Sequence, residues 1–339
     1  MIPPRPVYRC DLNESAYPPL PEVAEAIASA TRTANRYPEF LPHGPRAAVA
    51  AHLGLDPDCV TVGAGGTAVV ASLLAEAASR PGAPTLSAPR LSTPMPTFDG
   101  FAILGRMLGY DVDPTPLHDD GAPDLAALAA SVTPSTAAVI VCSPHNPTGA
   151  VLGEDRIRGL LAALPDDLPV ILDEAYVEYC AAPPDSRALV ADHPNLVVLR
   201  TFSKAYGLAG VRVGYAFGAP GAVAGARRRE VPFGISAAAQ AAVPAALAAR
   251  RPLAERVAAM RRERDRLTAG LVAIGCPVLP SQANFVYLPG EVGIEVGRVL
   301  RGVGVLGREY AGHGFRLTVA DEAVTDYVLG ALELTAHCA

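Results

Sequence analysis

The chain has one lysine in 339 residues, Lys204. All other basic charge is carried by arginine, which keeps its proton in proteins. A lysine that is buried or flanked by cations can lose its proton. The free amine can then add to a carbonyl and form a Schiff base. A composition that dispensed with lysine everywhere else has kept it here. Chance survival in an arginine-biased chain is the competing explanation. The surroundings weaken it: Thr201-Phe202-Ser203-Lys204 supplies two hydroxyls, and Arg212, eight residues on, supplies a planar fork suited to phosphate.

Three further segments carry polar residues where apolar runs end. Asp173-Glu174-Ala175-Tyr176 follows Val170-Ile171-Leu172 directly. An aspartate at the end of such a run is desolvated at a cost unless it meets a cation, and a pyridinium N–H is one. A helix-capping aspartate is the plainer reading. Ser143-Pro144-His145-Asn146-Pro147-Thr148-Gly149 is a loop in which two prolines hold Asn146. Gly63-Ala64-Gly65-Gly66-Thr67 joins an apolar run to a helical one. Exposed N–H groups at a helix start, with glycine allowing close approach, seat an anion. Each signal alone is weak. Their conjunction with a single lysine is not.

The elements that must position these groups alternate along the chain. Short β-rich runs at 60–63, 84–87, 111–115, 137–142, 169–173, 196–200 and 211–216 are expected strands, and 67–78 an expected helix. Continuous apolar runs bounded by Gly, Pro and Asn suit strands buried on both faces, so the reading is α/β with a mostly parallel sheet. Residues 237–271 read as a helical stretch broken near Pro244 and Pro252, and runs at 284–288 and 314–319 as a smaller α+β part.

Composition bounds the rest. Half the residues are hydrophobic, ample for a core, and the net charge of −6 with no basic block argues against a nucleic-acid partner. No run of 18 apolar residues suggests a membrane span, and the start lacks an apolar signal core, so a cytoplasmic protein is expected. Six scattered cysteines without a CxxC pair read as free thiols. Histidines and cysteines lack metal-ligand spacing, so no metal site is expected.

Asn146-Pro147-Thr148-Gly149, Asp173-Glu174-Ala175-Tyr176 and Ser203-Lys204 with Arg212 resemble the signature of fold-type I pyridoxal-phosphate aminotransferases. The resemblance covers nearly the whole chain and is strongest to the histidinol-phosphate aminotransferase subgroup, which includes bacterial aromatic amino acid aminotransferases. Leu12-Asn13-Glu14-Ser15, Asn35-Arg36-Tyr37-Pro38, Ser281-Gln282-Ala283-Asn284-Phe285 and Gly314-Phe315-Arg316-Leu317-Thr318 fit that subgroup. Val231-Pro232-Phe233 and the run at 279–286 lean to its aromatic branch.

The resemblance implies a large domain (31–235) with a mostly parallel seven-stranded sheet. It further implies an interdomain helix and small α+β domain (236–339), joined by an N-terminal segment (1–30). It implies pyridoxal 5′-phosphate as cofactor and an amino acid and a 2-oxo acid as substrates. Lys204 would hold the cofactor as a Schiff base and move a proton during catalysis. Asp173 would pair with the pyridine nitrogen. Tyr176 and Asn146 would bond the ring hydroxyl oxygen. Gly65, Gly66, Thr67, Thr201, Ser203 and Arg212 would hold the phosphate, and Phe101 would stack on the ring. Arg316 would grip a carboxylate, with Arg308, Tyr17 and Asn146 also on the substrate side. Tyr37 would reach the cofactor of a second subunit, implying a homodimer. Ala68 departs from the acid the family often carries there. An enzyme of the same cofactor but another reaction, such as a decarboxylase, oxidase or cyclase, stays open at this stage. A cofactor-sensing regulator is disfavoured by the absence of a basic helix.

Overall fold

The computed structural model describes residues 7–80 and 88–336. In chain order the first elements are β1 (Tyr8–Arg9), α1 (Pro21–Thr31), α2 (His43–Leu53), β2 (Val60–Gly63), α3 (Gly66–Ser79), β3 (Arg90–Pro94), α4 (Asp99–Met107) and β4 (Asp111–Thr115). There follow α5 (Leu125–Ala130), β5 (Thr136–Cys142), α6 (Glu154–Ala163), β6 (Val170–Asp173), α7 (Ser186–Asp192), β7 (Leu196–Thr201), β8 (Gly214–Gly218) and α8 (Pro220–Arg228). The last are α9 (Ala237–Ala248), α10 (Arg250–Ala273), β9 (Phe285–Pro289), α11 (Gly290–Gly302), β10 (Val305–Leu306), β11 (Arg308–Tyr310), β12 (Gly314–Thr318) and α12 (Glu322–Ala336).

Seven strands form one sheet in the order β2-β8-β7-β6-β5-β3-β4. Pairs from β7 to β4 are parallel, and β8 alone runs against its neighbours. The apolar runs explain the burial. Alternate residues of a strand face opposite sides of its sheet. Thus Val139 and Val141 of β5, with Val170 and Leu172 of β6, enter one core. Ala138, Ile140, Cys142 and Ile171 enter the other. Each such aliphatic side chain contributes roughly 1.5–3 kcal/mol when fully buried. Helices α6 and α7 are the crossovers that parallel neighbours require. Parallel order brings the carboxyl ends of β5, β6 and β7 to one edge, and each ends in a loop carrying the polar residues described above.

The C-terminal part has its own three-stranded antiparallel sheet, β11-β12-β9, and its own core around Phe285, Leu288, Leu300, Phe315 and Leu317. The N-terminal segment divides between the two parts. β1 pairs in parallel with β10, whereas α1 packs on α9 and sends Leu20 and Val23 into the core of the large sheet.

The expected strand at 84–87 falls outside the described residues. Two expectations need correction, and one strand was missed: β3, which lies between β4 and β5, and whose Arg90-Leu91-Ser92-Thr93-Pro94 is too polar to read as a buried run. The run at 211–216 is not one strand. Arg212 adopts a left-handed backbone (φ 60°), so β8 starts only at Gly214. The helical break comes at Ala249, not at Pro244, which lies inside α9. Pro252 sits in the first turn of α10, where a missing N–H costs no helical bond.

Candidate active site

A cavity of about 450 Å³ opens over the carboxyl edge of the large sheet, and residues from both sheets line it. Lys204 lies three residues beyond β7. Its Nζ donates to Leu12 O at 2.9 Å and stands 5.8 Å from the centre of the Tyr176 ring. Burial, then the Arg316 charge, lowers its pKa from 10.5 to about 8. An amine so placed gives up its proton far more readily than an ordinary lysine.

Asp173 closes β6 and is buried beside Cys142, its neighbour in the β5–β6 ladder. One carboxylate oxygen accepts from the Ala175 N–H at 3.0 Å, the other from Cys142 Sγ at 3.7 Å. A thiol is a weak donor. Burial therefore dominates and pushes Asp173 from 3.8 up to about 6, despite the Ala175 N–H. A cation set against this carboxylate would return it to the ordinary range.

Tyr176 and Asn146 are oriented by partners on other elements. The Tyr176 hydroxyl accepts from Asn13 Nδ2 at 2.9 Å, so its own proton is free to be donated elsewhere. Asn146 Oδ1 accepts from Arg316 Nη1 at 2.5 Å and from the Tyr310 hydroxyl at 3.3 Å. Arginine only donates, which assigns the amide: Oδ1 faces Arg316, and Nδ2 is the end left to donate. Arg316, on β12, is 5% exposed. It also donates to Tyr310 Oη at 3.0 Å and to Asp11 O at 2.5 Å, while its Nε is buried without a partner.

The anion seat is equally local. α3 begins at Gly66, with Gly65 before it at φ +85°. A Cβ on Gly65 would come within 2.4 Å of Arg212 Nη2, so only glycine lets that guanidinium lie against the helix start. Arg212 is steadied by Ala209 O at 3.0 Å. Across the cavity Thr201 Oγ1 donates to Ser203 Oγ at 3.0 Å and accepts from the Ser203 N–H at 3.1 Å. Gly66, Thr67, Thr201, Ser203 and Arg212 all line the cavity. N–H groups at the start of a 14-residue helix, two hydroxyls and a guanidinium suit a phosphate dianion.

Phe101, on α4, is buried in the wall with its ring edge-on to Phe98 at 5.4 Å between centroids. Arg308 stands at the mouth, paired with Asp99. Tyr17, Tyr37 and Gly65 are not lining residues. Tyr17 lies under Arg256, 5.4 Å from its ring centre. Tyr37 is 83% exposed and stacks on Phe233 at 4.6 Å.

Sequence reasoning assigned no role to Asn13, Asp99, Cys142 or Tyr310. Asn13 sits in a motif that was matched as a whole; buried in a left-handed turn, it exchanges bonds with Thr318 and reaches Tyr176. Tyr310 is two residues beyond Arg308 on one strand. That period of two puts both on one face, a signal available in the sequence.

An amine poised to lose its proton, a buried acid wanting a cation and a seat for phosphate serve covalent chemistry on a phosphorylated carbonyl compound, with Arg316 left for a carboxylate. That defines a class of group-transfer enzymes acting on amino or oxo acids. The comparisons make the class particular: the chain matches the family of class I and II aminotransferases over residues 8–332, belongs to it, and is a transaminase. It is 42% identical over 314 residues to an aromatic amino acid aminotransferase of Nocardia farcinica, covering 91% of this chain and 86% of that one. It is 41% identical over 310 residues to an enzyme of the same name from Thermobifida fusca, covering 91% and 84%. Among solved structures, histidinol-phosphate aminotransferase from Sinorhizobium meliloti, in complex with pyridoxal-5′-phosphate, superposes with a TM-score of 0.88 at 28% identity, covering 98% and 91%.

Proposed function

We propose that this aminotransferase uses pyridoxal 5′-phosphate to move an amino group between an aromatic amino acid, such as phenylalanine or tyrosine, and a 2-oxo acid such as 2-oxoglutarate. One observation carries the reading: the sole lysine lies in the cavity with its pKa lowered to about 8, facing a buried aspartate and an anion seat. Relatives around 40% identical, named for aromatic amino acids, support that substrate over histidinol phosphate, the substrate in the name of a structural neighbour at 28%.

The residues fit the cofactor. When bound, pyridoxal phosphate supplies an electron sink for the pair left at the substrate's Cα. Lys204 Nζ is the amine that would hold it covalently and would accept the proton from Cα. Asp173 would keep the ring nitrogen protonated, which would compensate its own burial. Tyr176 and Asn146 Nδ2 donate to the ring oxygen, because Asn13 on one side and Arg316 with Tyr310 on the other leave them only that role. Gly66, Thr67, Thr201, Ser203 and Arg212 would hold the phosphate, with Gly65 letting Arg212 lie against the helix start, and Phe101 would form the wall beside the ring. Arg316 takes the α-carboxylate, its unpartnered Nε available for a second bond. Arg308 bounds the substrate side, while Tyr17 stays outside the cavity lining under Arg256. The described cysteines are free thiols, which supports a reducing, cytoplasmic setting.

Half-reactions test the substrate. Mixing holoenzyme with phenylalanine, tyrosine or histidinol phosphate should bleach the absorbance of the lysine-bound cofactor, with the highest kcat/KM for the two aromatic acids. Turnover of only a small or cationic amino acid would leave the cofactor chemistry and sink the substrate.

The proposed active unit is a homodimer in which Tyr37 serves the partner's site. Its exposure in the single chain supports this. Mixing Lys204→Arg and Tyr37→Phe chains is then expected to restore about a quarter of wild-type activity, since half of all dimers are mixed and each has one intact site. Activity no higher than either parent, with subunit exchange verified, would place Tyr37 in its own subunit's site or in none.

A further inference from the structure

β11 and β12 set Arg308 directly opposite Arg316 in an antiparallel ladder. Opposed residues leave the same face with Cβ atoms roughly 5 Å apart, and like charges so placed repel. The two side chains part. Arg316 turns inward to Asn146 and Asp11 O. Arg308 turns outward, its guanidinium paired with Asp99 and lying 6.0 Å from the Tyr310 ring centre. Asp99 stands in the first turn of α4, at the end of the helix whose dipole attracts negative charge.

Four cations line the cavity among the described residues: Lys204, Arg212, Arg308 and Arg316. Lys204 and Arg212 belong to the cofactor end, and Arg316 to the α-carboxylate. Arg308 is therefore the cation left for a second anionic group on a substrate, and Asp99 occupies it. Of the other lining acids, Asp11 is paired with Arg9, and Glu14 adds negative potential near Lys204.

We propose that Asp99 is a specificity-determining residue: by neutralising Arg308 at the mouth, it makes the site prefer substrates with an uncharged far end. The inference rests on Arg316 holding the α-carboxylate and deepens the aromatic substrate class. A second carboxylate or phosphate must draw Arg308 off Asp99 or sit beside a carboxylate. A phenyl or phenol ring does neither. 2-Oxoglutarate, the acceptor proposed above, must likewise draw Arg308 off Asp99, so it is expected to bind more weakly than an acceptor with an uncharged far end.

The test compares wild-type holoenzyme with Asp99→Asn, Arg308→Gln and the double variant. Binding of two acids without an amino group, succinate and 3-phenylpropionate, is read from the cofactor's absorbance. Asp99→Asn should favour succinate relative to 3-phenylpropionate by about fivefold, the scale of one half-exposed charge contact. Arg308→Gln should cancel that gain, and alone should move the ratio by less than about twofold. An unchanged ratio in Asp99→Asn overturns the proposal. So does a selective loss of succinate in Arg308→Gln alone, because Arg308 would then already serve dianions. If wild-type enzyme turns over no aromatic amino acid, the substrate reading fails, and the ratio of the two acids still judges Asp99.

Discussion

Lys204→Arg should lower turnover by roughly 10⁴-fold or more, because it removes both the covalent amine and the proton carrier while keeping the charge. The variant should still bind cofactor through the phosphate seat. Since no second lysine exists, borohydride reduction of wild-type holoenzyme should fix cofactor to one peptide, that of Lys204, and to none in the variant. The pH dependence has a definite sign. Only the neutral amine adds to a carbonyl, so cofactor capture by the apoprotein should speed up as pH rises and level off above about 8. A lysine at its ordinary 10.5 would still be accelerating there. Normal turnover in Lys204→Arg, or capture that keeps rising past pH 9 to 10, would overturn the assignment.

Asp173→Asn should cost roughly 10²-fold or more in kcat, comparable to losing one preorganised electrostatic contact. The carboxylate is worth that much because little else satisfies it: one backbone N–H and one thiol, in a setting that raises it to about 6. Asparagine has nearly the same shape and still accepts from the Ala175 N–H, so the fold and cofactor occupancy should survive. What changes is the protonation of the ring nitrogen, readable as a shift of the bound cofactor's absorbance and its pH profile. A near-normal rate with unchanged spectra would reduce Asp173 to the turn contact with Ala175.

Much of the site was legible because its chemistry is local. Lys204 stood out by composition, Asp173 and Asn146 by following apolar runs, and Gly65 and Gly66 by joining a strand to a helix. The resemblance to aminotransferases then supplied roles that residue types alone could not, such as ring stacking by Phe101. Burial in the sheet was legible for β5, β6 and β7, whose central residues form unbroken apolar runs. It was not legible for β3, where arginine, serine, threonine and proline replace that signal. The break in the helical stretch was misplaced because α9 runs through Pro244 at the loss of one backbone bond, whereas Pro252, in the first turn of α10, loses none.

By itself, then, the sequence determined the reagents, the parallel sheet that collects them and the edge where they gather, since side-chain type, apolar periodicity and glycine tolerance act over a few residues. Tertiary structure decided their partners. Ladder register put Cys142 beside Asp173. Docking of the N-terminal segment brought Asn13 to Tyr176 and the Asp11 carbonyl to Arg316. The placement of β11 near the start of α4 joined Arg308 to Asp99 across 209 residues of chain. Such contacts depend on how separate elements pack, and no local pattern encodes that distance. The same packing raises Asp173, lowers Lys204 and turns Arg308 away from Arg316.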